Sequence, residues 1–245
     1  MKLISRREVL LSSAATLVPP DEKARKLKVV VTGGHPGDPE YGCGGTIARY
    51  TDRGHRVVLL YLNRGEIDCG AGSNGPEGMR VREAEKACGI LRAQPAFADQ
   101  CDGHAIVDNT HYNDFLRLIQ AEAPDVLFTH WPIDGHRDHR AISMLAYDAW
   151  RRMKRTFSFY YYEVSDGEDT LMFSPTDYVD ITAVEARKRA ACYAHASQTP
   201  DRYYAMQSAV TRFRGMESGF NQAEGFIRHV ESRGRLVTMT RQAVA

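Results

Sequence analysis

The 245-residue chain reads as a single α/β domain, an open, mainly parallel, Rossmann-like sheet with helices on both faces. Three observations predict it. Short apolar runs at 27–32, 56–62 and 125–130 have the unbroken character of strands buried on both sides. The first run, its exit at Gly33 and Gly34, a helical stretch and the second run make a strand–helix–strand unit, whose crossover is right-handed. The length suits one domain with a sizeable core and is short for two.

The elements follow in order. Residues 1–20 stand apart: Arg6 and Arg7 precede an apolar run from Val9 to Val18 that ends at Pro19 and Pro20. A charged start with about ten apolar or small residues is too short to span a bilayer and reads as an export signal. Its Ser5-Arg6-Arg7 opening with Leu10 resembles the twin-arginine type, so the chain is expected in the periplasm, with no stable membrane insertion. A basic arm without fixed structure, on a cytoplasmic protein, is the alternative. Residues 21–26 are a charged linker and 27–245 the folded domain. A helix is expected over 45–52, closed by Gly54, before the strand at 56–62. The next helix, 79–91, is apolar at Val81, Ala84, Ala87, Cys88 and Leu91, and another, 110–122, carries Phe115, Leu116 and Ile119 on one face. The strand at 125–130 leads to a helix over 141–151, then to a strand over 156–164 dense in aromatics. Residues 184–196 and 201–230 read as mainly helical.

Apolar residues make up 43% and charged residues 26%, ordinary for a globular protein. The 32 basic and 31 acidic residues nearly cancel, which excludes a nucleic-acid footprint and fits a neutral or small polar substrate. The five cysteines contain no C-x-x-C pair, so a cysteine zinc knuckle is excluded; they read as small buried hydrophobes, with one bridge left open. No phosphate-binding glycine motif follows the first strand, which is adverse to nucleotide binding. Ser197 has no partners at a nucleophile's spacing. Tyr160, Tyr161 and Tyr162 read as core and sheet-face residues, with a stacking surface for a sugar ring as the sharper alternative. Nothing in the sequence specifies an oligomeric state.

Two polar clusters carry the chemistry. His35-Pro36-Gly37-Asp38-Pro39-Glu40 follows the first strand, and Asp134-Gly135-His136-Arg137-Asp138-His139 follows the strand at 125–130. In a parallel sheet both open on one edge. Together they offer two imidazoles and a carboxylate to one ion with a position left for water, the composition of a catalytic zinc site. Such an ion lowers the pKa of water towards about 7 and polarises an amide carbonyl.

The stretch H-P-G-D-P-E-Y-G-C-G-G-T at 35–46 resembles the A-H-P-D-D-x-E-x-x-x-G-G-T signature of the PIG-L/LmbE-like deacetylases. H-R-D-H at 136–139 resembles their H-x-D-H, and Arg82 with Glu85 their R-x-x-E helix. D-I-T at 180–182, Lys188 and H-A-S-Q at 195–198 resemble their later run. The likeness covers roughly 28–200, in order. It implies a zinc-dependent hydrolase that removes an acetyl group from an N-acetylated amino sugar or a related small amide, free or within a glycan or glycoconjugate. By position it implies His35, Asp38 and His139 as ligands of Zn2+, donors that also suit other divalent first-row ions. His136 then stabilises the oxyanion or protonates the leaving amine, with Asp138 as its supporting carboxylate. Arg82 and Asp102 are implied substrate contacts; an exposed Arg82 paired with Glu85 is the plainer reading.

One departure matters. The family has aspartate before its aspartate ligand, as general base, and here that position is Gly37. Glu40, Glu66 and Asp134 are the nearby carboxylates that could replace it. Glu66 is preferred, because the end of the second strand lies beside the first, and Gly37→Asp is expected to restore part of any loss at Glu66. A metal- or carbohydrate-binding protein that turns nothing over is the alternative function. Gly42, Gly44 and Gly45 are expected to form a tight turn approaching a ligand.

Overall fold

Seven strands lie in the order β3-β2-β1-β4-β5-β7-β6. The computed structural model describes residues 25–65, 78–165 and 168–232. In chain order these are β1 (Lys28–Gly33), α1 (Asp38–Asp52), β2 (Arg56–Asn63), α2 (Met79–Leu91), β3 (Gln94–Gln100), α3 (Asn109–Glu122) and β4 (Val126–His130). Then come α4 (Arg137–Arg152), β5 (Ser158–Tyr162), β6 (Asp177–Asp180), α5 (Glu185–Cys192), α6 (Pro200–Ser218) and β7 (Ala223–Arg228). Strands β1 to β5 are mutually parallel, and β7 runs antiparallel to both β5 and β6.

The period of two along β1 builds a core on each face. Val29 and Val31 join a cluster with Ile47, Tyr50, Ala84, Leu91 and Cys192, under α1, α2 and α5. Val30 joins one with Phe115, Ile119, Ile142, Leu145 and Trp150, under α3 and α4. Burial on both faces is why β1, β2 and β4 read as continuous apolar runs. The strand order turns at β1 and β4, so the loops leaving these neighbours open a crevice at their carboxyl ends.

Several expectations change. Helix α1 begins at Asp38 rather than 45, and α4 at Arg137 rather than 141, so both polar clusters open helices. The glycines of α1 admit protein rather than ligand. A Cβ on Gly42 would lie 2.3 Å from the Tyr162 ring, and one on Gly45 2.4 Å from Ile181. The 201–230 segment is not one helix. It breaks at Gly219, whose φ of 77° gives a left-handed cap, and returns as β7. Strand β3 was not expected, because it is a partly exposed edge strand containing Pro95. Tyr160, Tyr161 and Tyr162 are all buried in the two cores, and the Tyr162 hydroxyl donates to the Thr32 carbonyl, so they form no sugar platform. Cys43, Cys88 and Cys192 are free and buried, while Cys101 is disulfide-bonded. No helix among the described residues is long and apolar enough to cross a membrane.

Candidate metal centre

The carboxyl ends of the parallel strands converge on one cleft. Its lining includes His35, Gly37 and Asp38 after β1, Asp102 after β3, His136 and His139 after β4, and Ser165 and Asp169 after β5. Arg80 of α2, His195 and Gln198 add to its polar wall.

Asp38 is the hub. Its Oδ2 accepts from the His35 backbone N–H at 2.8 Å and lies 3.2 Å from His35 Nδ1 and 3.3 Å from His139 Nε2. Donors about 2.0–2.1 Å from a tetrahedral ion stand roughly 3.3 Å apart. The two edges match that spacing, and two imidazole nitrogens with one carboxylate oxygen are a donor set suited to zinc.

The far nitrogen of each imidazole is held by carboxylate. His35 Nε2 faces Asp102 Oδ1 at 3.1 Å and Asp138 Oδ2 at 3.2 Å. His139 Nδ1 faces Asp134 Oδ1 at 3.1 Å, and Asp134 also accepts from the His136 backbone N–H and the Thr170 hydroxyl. Such partners fix tautomer and ring orientation, leaving the near nitrogen to coordinate. Burial disfavours charge on both rings, but the Asp38 charge and the carboxylate hydrogen bonds outweigh it. His139 is pushed up to about 9 and His35 is raised well above its ordinary value. Asp38, although buried, is held well below the carboxylate range by His139 and His35.

His136 is set differently. As the cap of α4, its Nδ1 accepts from the Asp138 backbone N–H at 3.2 Å. Burial, with His35 and His139 nearby, lowers its pKa. A neutral ring that accepts at Nδ1 carries its proton on Nε2, so this cleft-lining side chain has a donor to offer.

The structure thus brings His35, Asp38, His139, His136 and Asp102 to one cleft. Asp138 is close by, but its side chain supports His35 rather than His136, and it also accepts from the Gly103 and Ala105 backbone. Arg82 is exposed and outside the cleft; Arg80, half a turn earlier, lines it, donates to the Pro36 carbonyl and lies 3.7 Å from Asp102. Glu66 lies outside the described residues. Glu40 is fully buried off the cleft, accepting from the Tyr61 hydroxyl and facing His195 Nε2 at 3.1 Å. Asp134 is committed behind His139.

Gly37 adopts φ 116° and ψ −41°. A Cβ there would meet only ordinary contacts with Tyr41 and His195, but an L-residue is strained at that φ. Sequence reasoning missed Arg80, His130 and Asp169. His130 ends β4, stacks on the His139 ring with centroids 4.0 Å apart, and places Nε2 3.1 Å from Asp38 Oδ2. Burial and the adjacent His139 lower its pKa to about 4. The signal for it was its place at the carboxyl end of a buried strand.

Residues 30–150 match the family model PIG-L, described as GlcNAc-PI de-N-acetylase. The chain is 26% identical to diacetylchitobiose deacetylase of Thermococcus kodakarensis, over 81% of each chain. Its fold superposes on the conserved protein TT1542 of Thermus thermophilus with a TM-score of 0.73 at 27% identity, covering 86% of this chain and 99% of that one. It also superposes on GalB, a 4-carboxy-2-hydroxymuconate hydratase of Pseudomonas putida KT2440, with a TM-score of 0.72 at 22% identity. That match covers 85% of this chain and 98% of GalB, and at such identity it is a likeness of fold alone.

Proposed function

We propose that this chain, which carries a PIG-L family domain, is a zinc-dependent deacetylase of N-acetylated amino sugars. The observation that carries the reading is Asp38 Oδ2 at 3.2 Å from His35 Nδ1 and 3.3 Å from His139 Nε2, the separation of donors around a tetrahedral ion, with each imidazole backed by carboxylate. The curated relative of similar length acts on an acetylated amino sugar. The cleft holds about 230 Å³, below the roughly 300–1,000 Å³ of sites that enclose drug-sized ligands. It suits one small end group, such as a terminal acetylated sugar of a glycan or glycoconjugate, rather than an enclosed oligosaccharide.

A divalent ion bound by these residues supplies Lewis acidity to the amide carbonyl and acidity to water. The chain's own groups do the rest. His136 Nε2–H donates to the developing oxyanion. Asp138 and Asp102 orient His35, and Asp134 orients His139. Arg80 and the second oxygen of Asp102 offer a donor and an acceptor to sugar hydroxyls.

Acetate release from N-acetylglucosamine, N,N'-diacetylchitobiose and related amides, by metal-reconstituted and chelator-treated protein, tests the reading. Release only with metal supports it; no release with metal retained favours the second reading, a binding protein of the same fold. The observation behind that alternative is Gly37, which offers no base. Export through the twin-arginine route is proposed from Arg6 and Arg7. Their replacement by lysine should hold the protein in the cytoplasm, and an unchanged distribution discards the signal.

A further inference from the structure

With glycine at the family's base position, the proton from the attacking water needs another acceptor, and this inference rests on the deacetylase reading above. Among the described residues, three carboxylates line the cleft: Asp38, Asp102 and Asp169. Asp38 is engaged by His35, His130 and His139, and Asp102 by His35 and Arg80. The Asp169 carboxylate has no hydrogen bond or ion pair among the described residues.

The backbone around Asp169 is nevertheless fixed. Its N–H donates to the Ser165 carbonyl at 2.8 Å, and its carbonyl accepts from the Gly135 N–H at 2.8 Å. The next residue, Thr170, pairs with Asp134 in a β-bridge and donates from its hydroxyl to the Asp134 carboxylate at 3.1 Å. The loop after β5 is thereby stitched to the loop that carries His136 and His139. A free carboxylate on a tethered backbone faces the same cleft as the two imidazoles.

We propose that Asp169 is the general base of this deacetylase, taking the part that the residue before the aspartate ligand plays elsewhere in the family. As the water oxygen bonds to the amide carbon, one water proton passes to the Asp169 carboxylate and the carbonyl oxygen takes the negative charge beside His136. When the carbonyl re-forms and the C–N bond breaks, that proton passes to the leaving nitrogen. The products are the free amine and acetic acid, and Asp169 returns to its anionic form. Burial, with Asp134 and Asp38 nearby, raises the pKa of Asp169 against the opposing His139 and His136, so the carboxylate holds a proton more firmly than a surface aspartate.

The test compares unaltered, metal-loaded protein with Asp169→Asn, which is isosteric and breaks no side-chain contact among the described residues, and with Glu168→Gln, an exposed neighbour paired with Arg202. Metal content, affinity for the product amine glucosamine by calorimetry, and acetate release from N-acetylglucosamine and N,N'-diacetylchitobiose are measured on each. Asp169→Asn should keep its metal and its glucosamine affinity and lose about 10²–10⁴-fold in turnover. Added formate should return part of that turnover to Asp169→Ala, and Glu168→Gln should match the unaltered protein. Turnover of Asp169→Asn within threefold of the unaltered protein overturns the proposal. So does a weakened glucosamine affinity with turnover at saturation unchanged, which would make Asp169 a substrate-binding residue. If the unaltered, metal-loaded protein releases no acetate, the deacetylase reading itself falls and this role with it.

Discussion

Metal binding by this chain should be steeply pH-dependent, and the ion-free site gives the slope. His139 titrates at about 9 and His35 well above its ordinary value, because Asp38 and the backing carboxylates favour the charged rings despite burial. Between pH 6.5 and 7.5 His139 therefore carries a proton that a metal must displace, whereas Asp38 is already ionised and releases none. One proton released per ion makes apparent affinity rise about 10-fold per pH unit, or about 1.4 kcal/mol, and any proton displaced from His35 adds to that slope. Chelator competition at pH 6.5 and 7.5 reads the slope, and calorimetry in buffers of different ionisation enthalpy counts the protons. The sign for stability without metal follows from the same shift. A histidine raised above its unfolded value of about 6.5 contributes fully below that pH and loses its contribution as pH rises through about 9. The metal-free protein should thus lose thermal stability over that window. An affinity that changes less than threefold between pH 6.5 and 7.5 would refute the picture of a charged His139 ring beside Asp38.

Three further outcomes follow from the geometry. His136→Ala should retain its metal and lose about 10²–10³-fold in turnover, measured by elemental analysis and acetate release; loss of metal as well would make His136 a ligand. Asp134→Ala removes the acceptor behind His139 Nδ1 and should weaken metal affinity about 10–100-fold, with Asp134→Asn retaining most of it, by chelator competition. Gly37→Asp should cost about 1–3 kcal/mol in thermal or denaturant unfolding and raise no activity, because φ is 116° there; an active, equally stable variant would show that the loop adapts.

The buried strands were legible because β1, β2 and β4 pack on both faces and so present unbroken apolar runs. Both loops open on the sheet edge that the parallel strands share, so a meeting of imidazoles and carboxylate could be foreseen from the loops' residues, while the choice of His35, Asp38 and His139 came from the family resemblance. The edges of the sheet were not legible. β3 is partly exposed and carries a proline, and β6 and β7 are short, with β7 following a helix whose only stop signal is Gly219. Side-chain direction was the second limit. Arg80 and Arg82 lie two residues apart on α2, which turns them to different sides, so the motif alone did not say which one enters the cleft. Asp138 adjoins His139 in sequence, yet the first turn of α4 aims it at His35. Asp169 sits in a loop without periodic pattern and reaches the cleft only through long-range pairing with the Asp134–Gly135 segment.

His35, Asp38 and His139 should hold one divalent ion that deacetylation requires. Metal content and acetate release are to be measured on the same preparations of unaltered protein and His139→Ala. One ion per chain and metal-dependent acetate release are expected for the unaltered protein, and neither for His139→Ala. A His139→Ala protein that keeps its full metal content, or an unaltered protein that releases acetate equally well after complete chelation, would contradict it.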